Sequence, residues 1–184
     1  MNAIIILGSR NPSGQTARAA GALAQGMESE GAEVKSLFLP TMQVERCRQC
    51  DDVGWGICRS EGRCVIADDF ASTLDMIRGA EAVVFANPVY FGDLSESLRA
   101  FLDRLRRTCM NPAGKQAVAG KMAVGICVAG GGGGGAPHCV LSLEKVLVTC
   151  GFNIVDLIPV RRQNLEAKLE ILRSCGRHLA LGAY

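Results

Sequence analysis

Short apolar runs rich in β-branched residues alternate five times with longer segments of helical period along this chain. "AIIIL" (3–7), "EVKSLFL" (33–39), "AVVFAN" (82–87), "KMAVGICVA" (121–129) and "FNIVDLIPV" (152–160) read as strands. Between the first two, Ala17, Ala20, Leu23, Ala24 and Met27 recur at helical spacing over 14–31. Asp68 and Asp69 are suited to cap a helix running to about Arg78, and further helices are expected over 94–107, 138–150 and 164–181. Five strands alternating with five helices predict a doubly wound α/β fold, a parallel sheet with helices on both faces. No repeat or linker divides the chain, so a single domain is expected over 1–184, with a cysteine-rich insertion at about 42–66 that has no clear period.

Right-handed crossovers leave few topologies, and for five strands the common order is the flavodoxin-like 2-1-3-4-5. In that order the sheet reverses direction between strands one and three. The crevice at their carboxyl ends is then lined by the loops 8–16 and 87–93, with the glycine run 130–135 next door.

These three loops have unusual compositions. "GSRNPSGQT" (8–16) lies directly before a helix, where unpaired N–H groups and the dipole favour an anion, and Ser9, Ser13 and Thr16 add hydroxyl donors. It is neither a Walker A loop nor a G-x-G-x-x-G fingerprint, and alone it would read equally well as a capped turn. "ANPVYFGD" (86–93) sets Tyr90 and Phe91 at a strand end in a chain with 5% aromatics. Either ring could flank a planar ring system or pack in the core, while Pro88 and Val89 present a stiff backbone edge. The six glycines 130–135 let backbone N–H groups approach a ligand closely. Together the loops describe one phosphate and one planar ring, which suits FMN rather than a dinucleotide.

"GSRNPSGQT", "NPVYFGDLSESLRAFLDR" and "CRSEGRCVIADDF" resemble motifs of the flavodoxin-like NAD(P)H-dependent FMN reductases, and within them the iron-sulfur flavoproteins. The resemblance covers nearly the whole chain. It implies an FMN-binding oxidoreductase, a homodimer or a dimer of dimers, with Ser9, Arg10, Ser13, Gln15 and Thr16 at the phosphate. It likewise implies Pro88, Val89, Tyr90, Phe91 and Gly92, with Gly130, Gly131 and Gly132, at the isoalloxazine. In such a protein NAD(P)H delivers a hydride to the flavin, which passes electrons to a quinone, a metal ion or a protein acceptor. Ser13 and Gln15 stand where the family commonly has Asn, and Arg10-Asn11 where it has Pro-Arg.

Cys47, Cys50, Cys58 and Cys64 lie within eighteen residues, in a loop that Gly54, Gly56 and Gly62 allow to fold back. Four thiolates at this spacing can close around a [4Fe–4S] cluster or a tetrahedral zinc, or stand as a redox-active thiol set. The related flavoproteins have a compact Cys-x2-Cys-x2-Cys, and here the second gap is longer. Trp55 could shield this loop or pack over a neighbouring subunit's flavin. A zinc-held loop would fit a non-enzymatic binding protein, and a cluster an electron relay with a partner such as a ferredoxin.

The remaining features are bland. Net charge is +2 with basic residues scattered, the longest basic patch being Arg104, Arg106 and Arg107, which argues against a nucleic-acid surface. No apolar stretch nears the ~20 residues of a membrane span, and the N-terminus lacks signal-peptide features, so a cytoplasmic protein is expected. In a reducing compartment nine cysteines are not a disulfide framework; Cys109, Cys127, Cys139, Cys150 and Cys175 read as small buried hydrophobes. His138 and His178 read as exposed or structural, and no catalytic triad is visible.

Overall fold

The computed structural model describes residues 1–184 and gathers the five apolar runs into one parallel sheet, in the order β2-β1-β3-β4-β5. The strands are β1 (Asn2–Leu7), β2 (Glu33–Phe38), β3 (Ala82–Pro88), β4 (Met122–Ala129) and β5 (Asn153–Arg161). The doubly wound, flavodoxin-like expectation is borne out. β1, β3 and β4 occupy the middle, and all three are almost wholly buried, which is why they read as unbroken apolar runs rather than as alternating ones.

The pleat sends alternate residues to two cores. Ile5, Leu7, Val84 and Ile126 face α1 (Gln15–Ser29) and α7 (Leu165–Ala180). These two helices cross at Gly26 and Gly176, where a Cβ would collide with the opposite backbone. Ile4, Ile6, Val83 and Phe85 face α3 (Asp69–Gly79), α4 (Glu96–Thr108) and α6 (Ala136–Cys150). α4 is anchored by Leu98, Phe101, Leu102 and Leu105, all fully buried and each contributing about 1.5–3 kcal/mol. That anchoring matters for function, because the two ends of α4 reach the two sites described below.

The five lone cysteines are all buried, as expected, and His138 and His178 are exposed. Two short helices were not expected: α2 (Ile57–Ser60) inside the cysteine segment, and α5 (Pro112–Gln116), which Asn111 caps. The basic patch is a correction. Arg104 lies on the apolar face of α4 and is 1% exposed, Arg106 pairs with Asp103 at 3.0 Å, and Arg107 stacks on Trp55. No helix is long and apolar enough to cross a membrane.

Candidate functional site

The strand order brings the three loops to one crevice of ≈ 430 Å³, lined by Gln15, Thr16, Pro88, Val89, Tyr90, Val128, Gly130 and Gly131. Its floor is fixed by Asn87, fully buried at the end of β3. Asn87 Oδ1 accepts from Ser95 N at 3.0 Å, and its Nδ2 donates to Pro88 O at 2.7 Å and to Cys139 Sγ at 3.2 Å. One side chain thus ties the crevice floor to the starts of α4 and α6.

On the phosphate side, Asn11 shapes the loop. Its Oδ1 accepts from Ser13 N and Ser13 Oγ, both at 3.0 Å, and its N–H donates to Ser9 Oγ at 3.3 Å. The turn delivers the chain to Gly14, the N-cap of α1, where no side chain caps the helix. The first-turn N–H groups are therefore open to an anion. Gln15, which lines the crevice, has its Oε1 buried without a partner. Arg10 is exposed and donates to Pro40 O at 3.0 Å, which holds the loop against the end of β2.

The expected backbone edge at 88–90 offers few donors. Val89 N is spent on Val128 O at 2.9 Å, and Tyr90 N on Asp93 O at 3.0 Å. Phe91 and Gly92 form the tip of the resulting two-residue turn, both at positive φ, and Phe91 projects into solvent rather than lining the crevice. Free N–H groups come instead from the glycine run. Gly135, at φ 81°, packs so closely on this turn that a Cβ would stand 2.6 Å from Gly92 Cα. A Cβ at Gly130, Gly131 or Gly132 would meet nothing, which leaves that backbone open to a ligand.

The cysteine segment forms a second site at the other end of α4. Cys47, Cys50, Cys58 and Cys64 line one cavity with Trp55, Arg48, Arg104 and Arg107. Its volume is ≈ 20 Å³. The thiols are free, and no three potential ligands converge at the spacing of a single ion. The donor set is purely thiol, with no carboxylate or imidazole on the wall, which is the chemistry of an iron-sulfur or zinc centre.

The segment is held from two sides. Asp68 and Asp69 reach back to it: Glu45 N donates to Asp68 Oδ2 at 2.8 Å, and Gln43 N to Asp69 Oδ2 at 2.7 Å. Asp68 also caps α3 through Phe70 N, as the sequence suggested. From α5, Asn111 Nδ2 donates to Arg59 O and Ser60 O, both at 3.0 Å. Trp55 covers the cavity, its ring 4.3 Å from the Arg107 guanidinium and 5.4 Å from that of Arg59.

A family model described as NADPH-dependent FMN reductase matches residues 1–160. The chain belongs to the NADPH-dependent FMN reductase family. Within this FMN reductase family its sequence is similar to an iron-sulfur flavoprotein of Methanocaldococcus jannaschii, 30% identical over 131 residues, 71% of this chain and 65% of that protein. An iron-sulfur flavoprotein of Methanosarcina thermophila is 28% identical over 138 residues, 73% of this chain and 66% of that protein. This chain thus spans somewhat less than two thirds of the length of either relative. By shape it is similar to an NAD(P)H:quinone oxidoreductase from Methanothermobacter marburgensis, with a TM-score of 0.70 at 20% identity, covering 97% of this chain and 96% of that one. An archaeal flavodoxin matches with a TM-score of 0.63 at 17% identity, covering 99% and 98%.

Of the residues expected at this family's phosphate and ring, Gln15, Thr16, Pro88, Val89, Tyr90, Gly130 and Gly131 line the crevice. Ser9, Arg10, Ser13, Phe91, Gly92 and Gly132 lie on the same loops without lining it. Sequence reasoning missed Asn11, whose Asn-x-Ser spacing is an Asx-turn signal. It also missed Asn87, Arg104, Arg107 and Asn111, whose roles depend on partners distant in sequence.

Proposed function

We propose that this chain is an FMN-dependent oxidoreductase of the NAD(P)H-dependent FMN or quinone reductase type. We further propose that Cys47, Cys50, Cys58 and Cys64 hold a [4Fe–4S] cluster for electron transfer. The observation that carries the flavin reading is the uncapped α1 N-terminus opening onto a crevice walled by Tyr90 and bare glycine backbone.

In this reading the first-turn N–H groups of α1, with Ser9, Ser13 and Thr16, bind the phosphate, and the exposed Arg10 adds charge nearby. Tyr90 flanks the ring, and the N–H groups of Gly130, Gly131 and Gly132 line its polar edge. Bound there, FMN supplies hydride acceptance from NAD(P)H and electron delivery onward. The chain's own part is to orient that group, with no side-chain acid or base required. Electrons leave to a small-molecule or protein acceptor. A homodimer or homotetramer is supported by the half-open crevice and by Tyr90 and Phe91, exposed beside it.

The all-thiol cavity favours a second reading, a flavin and cluster relay without direct NAD(P)H turnover. The ultraviolet-visible spectrum of anaerobically purified protein, with iron and zinc per chain and an NAD(P)H oxidation assay, tests both. Flavin bands with about four irons per chain and NAD(P)H turnover are expected. Flavin and iron without turnover would leave the relay, and colourless protein would end both readings.

A further inference from the structure

Two buried N–H groups on residues that line the cysteine cavity have no hydrogen-bond partner. Arg104 and Arg107 both line it, and on both the Nε is buried and unpartnered. The rest of the Arg104 guanidinium is committed: Nη1 donates to Asp68 Oδ2 at 2.6 Å and to Glu45 O at 3.0 Å, and Nη2 to Asp68 Oδ1 at 2.8 Å. Its plane lies 4.3 Å from the Phe70 ring, while Arg107 stacks at 4.3 Å on Trp55. Both guanidinium groups are therefore fixed in orientation before anything enters the cavity. The third arginine on the wall, Arg48, is paired with both carboxylate oxygens of Glu45. Buried donors are rarely left without acceptors in a native protein. The acceptors that this cavity concentrates are sulfurs.

We infer that Arg104 and Arg107 donate their Nε–H groups to the sulfur atoms of a metal centre held by the four cysteines, and thereby raise its reduction potential. The inference rests on the [4Fe–4S] reading above. The physical reason is charge. Reduction adds one electron to a centre that four thiolates already make anionic, and N–H donors to sulfur and nearby positive charge stabilise the more negative state.

The test is an EPR-monitored potentiometric titration with dithionite as the one-electron reductant, on protein whose iron per chain has been measured. Arg107→Lys keeps the positive charge and loses the planar Nε–H. It is expected to bind the same iron and to shift the one-electron reduction equilibrium about tenfold toward the oxidised form, a midpoint lower by ~59 mV. Equal iron with an unchanged midpoint would overturn the inference and leave the cluster reading standing; a parent protein without iron would overturn both. Because an Arg104 variant also breaks the Asp68 pair, Arg104 is read in the parent, labelled with 15N-arginine. Pulsed EPR of the reduced centre is expected to show coupling to two arginine nitrogens, and no such coupling would overturn the assignment.

Discussion

Arg104 of α4 and Asp68 at the head of α3 form a two-pronged ion pair at 2.6 and 2.8 Å, with side chains only 1% and 4% exposed. Asp68 also accepts from Glu45 N and Phe70 N, and Arg104 also donates to Glu45 O. The pair is the point where the cysteine segment, the cap of α3 and the core helix α4 meet. Removing one partner of a buried pair costs about 3–5 kcal/mol, because the other charge is left uncompensated. Asp68→Asn should lower unfolding stability by that amount in urea titration; a loss below about 1 kcal/mol would mean that the pair is not the anchor.

The same pair sets a pH dependence. Burial would raise the Asp68 pKa, but the Arg104 hydrogen bonds and the N–H groups of Glu45 and Phe70 outweigh it and hold the carboxyl below the usual aspartate value. A carboxyl depressed in the folded state contributes stability that is fully present above its unfolded pKa of about 3.9. That contribution is lost as pH falls through the lower folded value. Stability of the parent should therefore drop more steeply than that of Asp68→Asn below about pH 4, and the two curves should run parallel above about pH 5. Parallel curves throughout would refute the assignment.

What the sequence revealed and what it hid divide on physical lines. The strands of the sheet centre were legible because burial on both faces leaves polar residues only near strand ends, Asn2 in β1 and Asn87 in β3. The crevice loops were legible because topology alone carries them to one edge. The burial of Arg104 was hidden because a guanidinium in a run of basic residues looks solvated until its partner, 36 residues away, is known. Asn111 was invisible for the same reason, bonding 51 and 52 residues back. The donors at the crevice shifted from the 88–90 edge to the glycine run because strand pairing had already consumed Val89 N, which composition cannot show.

Gln15 separates binding from folding. Its Oε1 is buried without a partner, a desolvation cost to the folded chain. Gln15→Leu should leave stability unchanged or higher, while FMN affinity falls about tenfold, because the side-chain NH2 that would donate to the anionic phosphate goes with the orphaned acceptor. Fluorescence titration with FMN measures it, alongside Ser13→Ala/Thr16→Ala, for which a similar or larger loss is expected. Unchanged FMN affinity in both would remove the phosphate assignment.

The two sites should fail independently, because a different backbone contact holds each. Gly135 has φ 81° and no room for a Cβ against Gly92, so Gly135→Ala displaces the turn 90–93 from the glycine run. Gly62 has φ 70°, and a Cβ there would collide with the backbone of Gly114 in α5, so Gly62→Ala lifts the cysteine segment from its support. Each combines backbone strain of about 1–3 kcal/mol with a steric clash, local to one loop and outside the sheet. Flavin and iron per chain, measured on both variants, should therefore move oppositely. Gly135→Ala should lose flavin and keep iron, and Gly62→Ala should lose iron and keep flavin. Joint loss of both cofactors in either variant would show that the two sites are coupled through α4, whose opposite ends carry Ser95 and Arg107.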